Sequence, residues 1–246
     1  MTRIIKTLGL VAAAVAAMVA VMAPAAQAET GALTTVGFPA IITGNQAPGV
    51  TFDIGAGPLR TVSCGTSDLE ATFGGGPAAD PVTFKPRYEN CTSEPGGMTP
   101  VTVTMNECDY VIGFGKPGTT GQQQGTGTMQ AWVNCPDGQQ IEIHVYGNAF
   151  MHAMNMSTCT YDIGPQGPVP AGIYHNTSHA GQIPDVKATI SAQFTGKSTI
   201  GVGGAVCGGN PMNMGHLPIR LTGEYTMRSY VDAGGVEGAQ WPLDVG

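Results

Sequence analysis

Apolar and polar residues alternate along most of this chain in short runs, separated by clusters of Gly, Pro and Asn. In Ile141 to Tyr146, residues Ile141, Ile143 and Val145 fall on one face, and Glu142, His144 and Tyr146 on the other. A period of two with one apolar face predicts a half-buried antiparallel strand. The same reading predicts strands at Leu33–Ile42, Val50–Ile54, Pro81–Tyr88, Val101–Met105, Asp109–Phe114, Thr128–Asn134, Gln140–Tyr146, Val186–Phe194 and Ile219–Val231. Many short strands with turn residues between them predict an all-β chain, an antiparallel β-sandwich-like domain with long Gly/Pro-rich loops.

Two segments interrupt the alternation. Gly115 to Gly127 has three consecutive glutamines and five glycines, with nothing to pack and much backbone freedom. It reads as a long hairpin loop or as a boundary between lobes. Gly164 to Gly172 contains Pro165, Pro168 and Pro170, which argue against regular strand pairing and make it a second candidate boundary.

The N-terminus carries Arg3 and Lys6, an apolar run from Leu8 to Ala23, and then Ala26-Gln27-Ala28. This is the pattern of a secretory signal peptide cleaved after residue 28, leaving 29–246 as the mature chain. A run of this length approaches a spanning helix, but Pro24 and the small residues after it favour processing. Glu29 stands where a lipid-anchored protein would need Cys, so no stable membrane anchor is expected. Losing the two basic residues takes the formal charge from −7 to −9. Nucleic acid is not an expected partner, because phosphate backbones are held by clustered Lys and Arg.

All six cysteines follow the leader, and no two are closer than 17 positions. Export to an oxidising compartment favours disulfides, and the absence of close Cys pairs disfavours a zinc knuckle. Cys64 to Cys91 and Cys108 to Cys135 are both spaced by 27, and each second member follows an Asn. The preferred pairing is therefore Cys64–Cys91, Cys108–Cys135 and Cys159–Cys207, among the roughly 15 that six cysteines allow.

The residues Tyr88-Glu-Asn-Cys91-Thr92, Val101-Thr-Val-Thr-Met-Asn106-Glu-Cys108-Asp-Tyr110 and Val133-Asn-Cys135-Pro136-Asp-Gly138 resemble a family of secreted, Gly/Thr-rich bacterial proteins without an assigned function. Val186 to Gly196 and Leu221 to Tyr230 are similar to its final strands. The resemblance implies an exported, disulfide-containing all-β protein and assigns no catalytic residue.

Phe150-Met-His-Ala-Met-Asn-Met156 and Pro211-Met-Asn-Met-Gly-His216 are the segments richest in candidate chemistry. If extended, they place His152, Met154 and Met156 on one face, and Met212, Met214 and His216 on another. Thioether and imidazole ligands suit copper(I), so these six residues form a candidate metal set. The competing reading is that the methionines fill gaps in the core. Gly113 to Gly118 matches GxGxxG but precedes no helix, so the match carries no nucleotide site. His175 and His179 read as loop residues. No GxSxG, HExxH or calcium-loop motif appears, and no acidic pair stands out for glycoside hydrolysis. Trp132, Tyr146 and Trp241 are candidates to stack on sugars. Asn90, Asn155 and Asn176 begin acceptor sequons that would be silent in a bacterium.

The expectation is a secreted, non-enzymatic, β-sandwich-like protein, acting as a surface or matrix component or binding an extracellular ligand, without a cofactor. A copper-binding protein and a secreted hydrolase with an unrecognised site are the other two readings.

Overall fold

The computed structural model describes residues 30–36, 39–46, 49–55, 60–73, 78–94, 99–118, 125–177, 183–201, 216–232 and 237–246. The predicted leader, His179, Cys207, Met212 and Met214 lie outside the described residues.

In chain order the strands are β1 (Thr30–Gly31), β2 (Leu33–Thr35), β3 (Ala40–Gln46), β4 (Val50–Ile54), β5 (Arg60–Phe73) and β6 (Ala78–Ala79). Then follow β7 (Val82–Glu94), β8 (Thr99–Thr104), β9 (Asp109–Gly115), β10 (Thr126–Asn134) and β11 (Ile141–Val145). A short helix, α1 (Ala149–Ala153), precedes β12 (Cys159–Ile163), β13 (Gln166–Thr177), β14 (Asp185–Ile200), β15 (Leu217–Asp232), β16 (Glu237–Trp241) and β17 (Leu243–Val245).

These strands close into a barrel of eight staves rather than two stacked sheets. Four staves are continuous: β5, β7, β14 and β15. The other four are each two strands end to end, namely β3 with β4, β8 with β9, β10 with β11, and β12 with β13. Every stave pairs antiparallel with its neighbours in sequence, and β15 closes the ring by pairing with both β3 and β4. This corrects the sandwich expectation. Alternation places one face of each strand in a core and the other in water for both architectures; only the pairing of last stave with first separates them.

The pattern shows in β14, where Val186, Ala188, Ile190, Ala192 and Phe194 face inward while Lys187, Thr189, Ser191, Gln193 and Thr195 face out. A polar exterior is the reverse of the apolar band by which a barrel sits in lipid. Among the described residues, no helix is long and apolar enough to cross a membrane.

Aromatic side chains fill the lumen. Tyr110 stacks on Phe194 at 6.1 Å, Phe52 meets Tyr88 edge-on at 5.1 Å, and Phe114 meets Tyr174 at 5.5 Å. The phenols find partners inside: Tyr88 Oη donates to Tyr110 Oη at 3.1 Å, and Ser67 Oγ bonds Tyr225 Oη at 2.8 Å. A void of about 10 Å³ remains beside Tyr110, Met129, Ala131, Ala171 and Phe194, about the room of one water.

Cys64 and Cys91 lie directly opposite each other on β5 and β7 and are bonded, as are Cys108 and Cys135. Two of the three predicted bridges are therefore present, and they fit an oxidising compartment. Cys159 is disulfide-bonded too.

Gly115 to Gly127 leads from β9 into β10, neighbouring strands of one sheet. Gly118 N donates to Thr126 O and Gly125 N to Gly118 O, both at 2.9 Å, so its ends continue the hairpin. Gly164 to Gly172 is mostly strand, contrary to the proline argument. Its part of β13 pairs with β10, but pairing with β14 begins only at Gly172. Residues 166–171 thus have one ladder instead of two, the edge-like setting in which proline is tolerated.

Candidate functional site

The breaks in three adjoining staves lie side by side. β8 gives way to β9 at Met105 to Cys108, where Asn106 and Glu107 have φ of 47° and 61° and Cys108 N donates to Met105 O. β10 gives way to β11 at 135–140. The Cys108–Cys135 bridge and an Asn106 Nδ2 to Gln140 O bond of 3.0 Å tie these two breaks together. The third, at Gly164 and Pro165, leaves residues 191–196 of β14 without a ladder on the β12/β13 side, while β15 pairs them on the other.

Gln166 fills that gap with its side chain. Its Nε2 donates to Thr195 O at 2.8 Å, and its Oε1 accepts from Thr195 N at 2.7 Å. One amide thus stands in for the missing ladder partner at Thr195. Around it opens a pocket of about 250 Å³, lined by Gln140, Asp162, Pro165, Gln166, Lys197 and His216 among others.

Register builds the chemistry beside the pocket. On the outer face, Thr104, Glu142, Asp162 and Lys197 form one cross-strand row, and Thr102, His144, Thr160 and Thr199 the next. His144 Nε2 and Glu142 Oε2 are 2.9 Å apart, and His144 Nδ1 lies 3.2 Å from Thr160 Oγ1. Burial pushes the Asp162 carboxyl above its usual range and the Glu142 charge adds to this; His144, a Gln140 hydrogen bond and Lys197 oppose it. The pocket therefore holds an acid, an ammonium group, two amides and an imidazole within one recess.

The predicted metal set is only partly brought here. The segment 150–156 is not extended, which corrects the assumption that put His152, Met154 and Met156 on one strand face. Asn148 caps α1, its side chain accepting from Met151 N, and Asn155 turns the chain at φ 52°. His152 packs edge-on to Tyr146 at 4.7 Å and reaches Thr102 Oγ1 at 3.4 Å, at the margin of the His144 row. Met154 is exposed and Met156 half-buried. His216 lines the pocket from the residue just before β15. Among the described residues, no group of three or more His, Cys, Asp or Glu is placed to hold a metal ion.

Other expectations resolve individually. His175 lies in β13, not in a loop, and its Nδ1 is 2.8 Å from Thr126 Oγ1. Tyr146 is buried and donates to Asn155 Oδ1, which removes it as a sugar platform, while Trp132 and Trp241 are half-buried. Gly113 is a strand residue of β9. Sequence reasoning missed Gln140, Glu142, His144, Asp162, Gln166 and Lys197; three of these sit at outward positions of predicted strands, and only pairing across strands makes them a group.

No family model, curated protein or solved structure matches this chain.

Proposed function

We propose that this chain is an exported, non-enzymatic binding module that meets its ligand on the outside of the barrel, at the pocket between β12, β13 and β14. The filled lumen carries this reading. Eight-stranded barrels that carry small ligands do so inside, and here Tyr110, Phe194 and their neighbours occupy that space. The outer pocket instead offers Asp162, Gln140 and Lys197, the donors and acceptors of a site for a small polar molecule.

The relay Glu142–His144–Thr160 has the order of a carboxylate, imidazole and hydroxyl, which is the feature favouring a hydrolase. Against it, the backbone around Thr160 is engaged in ladders with both β11 and β14, so its N–H groups are spent rather than aimed at an oxyanion. The test is an amide and methyl NMR titration with glucosamine, methyl glucoside and decanol, beside a hydrolysis assay on p-nitrophenyl acetate. The sugars should move the signals of Gly164, Thr195 and Lys197. Decanol shifting the Met129 and Ile190 methyls, or ester turnover that disappears in His144→Ala, would overturn the reading.

A further inference from the structure

Two charges of opposite sign border the outer pocket without being joined. Asp162 on β12 and Lys197 on β14 are directly opposite each other, the last pair of their ladder before the break at Gly164, and both line the recess. Among the described ion pairs none joins them. Lys197 exerts the weakest of the influences on the Asp162 carboxyl, behind burial, Glu142, His144 and a Gln140 hydrogen bond. Glu142, the neighbour of Asp162 on β11, is itself matched by His144 at 2.9 Å.

The rest of the recess limits what it can hold. Its volume of about 250 Å³ far exceeds the roughly 10–15 Å³ that one water needs. Gln140 holds the Asp162 carboxyl in place, and the Gln166 amide is spent on Thr195 through both its donor and its acceptor. A neutral ligand would leave the carboxylate and the ammonium unmatched, and an ion of one sign would be repelled by one of them. A ligand carrying both signs meets each with a charge-assisted hydrogen bond and adds no net charge. Directly opposite residues on neighbouring strands have Cβ atoms about 4.5–5.5 Å apart, so the two charges of that ligand must be close together.

We propose that the ligand of this pocket is a free α-amino acid, its ammonium on Asp162 and its carboxylate on Lys197, an assignment that rests on the outer pocket being the binding site. Both ligand charges then stand on one carbon, and the amino-acid side chain lies toward Gly164 and Pro165, which line the recess without charge.

The probe is glycine, titrated into the whole chain at constant ionic strength, with methylammonium, acetate and methyl glucoside as separate arms. The Thr195 and Lys197 amides and the Asp162 carboxyl carbon are followed by NMR. Glycine should shift them saturably and bind about tenfold more tightly than methylammonium or acetate, each of which makes one of the two contacts. Burial and then the Glu142 charge raise the Asp162 carboxyl; a bound ammonium opposes both, so glycine should lower its titration midpoint. Asp162→Asn and Lys197→Met should each weaken glycine about tenfold, the first sparing acetate and the second sparing methylammonium. Glycine binding no tighter than its two halves, or binding equally well to both variants, would overturn the proposal. Methyl glucoside moving these signals while glycine leaves them still would overturn it and keep the pocket as a binding site; silence in all four arms would overturn both.

Discussion

Phe194→Ala tests whether the lumen is a packed core or a pocket in waiting. Phe194 is 1 % exposed and stacks on Tyr110 at the edge of the small void beside Met129, Ala131 and Ala171. Removing a buried phenyl ring costs about 3–5 kcal/mol, more where the surroundings cannot collapse into the space. The surroundings here include Ala131, Ala171 and Ala192, too short to reach across, so the upper half of that range is expected. For a chain of this size that is a fall in Tm of roughly 10–15 °C. The variant should also gain a property that the natural chain lacks. The present void of about 10 Å³ excludes benzene, whereas the vacated ring space is apolar, stays dry and accepts it. Benzene at about ten times its Kd then returns roughly 1.4 kcal/mol, a few degrees of Tm. Calorimetry with and without benzene reads both effects. A loss below about 1 kcal/mol would show that the ring is not confined, and equal benzene stabilisation of the natural chain would show an open lumen; either refutes the filled-barrel argument.

Gln166→Leu strips Thr195 of both partners; because water reaches this edge, the cost should be about 1–2 kcal/mol, and hydrogen exchange at the Thr195 amide should accelerate. The buried phenols predict an alkaline limit. Burial raises Tyr110 and Tyr174 to about 12, so the folded state keeps protons that the unfolded chain loses from about pH 10. Stability is therefore intact below that point and declines between roughly pH 10 and 12, by about 2–3 kcal/mol for Tyr110 alone. Phenolate absorbance should rise together with unfolding; rising before it would contradict the burial.

Most strands were legible because the alternation is strong, and Val50–Ile54 coincides with β4. The omissions have local causes. β5 escaped because its inward side begins at even positions with Val62 and Cys64 and continues at odd ones with Ser67, Leu69 and Ala71. The switch occurs at Gly65, near Asn90 with φ 54° on the facing strand, so no single period of two runs through it. Its small and polar inward residues weaken the pattern further. α1 was hidden for a different reason: a helix of this length has too few turns to show periodicity, and its signal was Asn148 as a cap. Barrel and sandwich were indistinguishable because closure depends on long-range pairing, which burial patterns do not encode.

The outer pocket was illegible for a related reason, and the prolines are its clearest clue. Pro168 and Pro170 lack the N–H that a second ladder would use, so β13 can pair with β10 and leaves the adjoining part of β14 without a ladder on that side. β14 keeps its ladder to β15 on the other side, and on the unladdered side Gln166 supplies both donor and acceptor to Thr195. Once the amide holds that position, Asp162 and Lys197, directly opposite each other at the end of the β12–β14 ladder, line the recess beside it. Among the described ion pairs, none joins them. Residues that the sequence presents as a chain break and as scattered surface polarity are thus consequences of one another: the prolines open the gap, the glutamine keeps it stable, and register sets the charges around it.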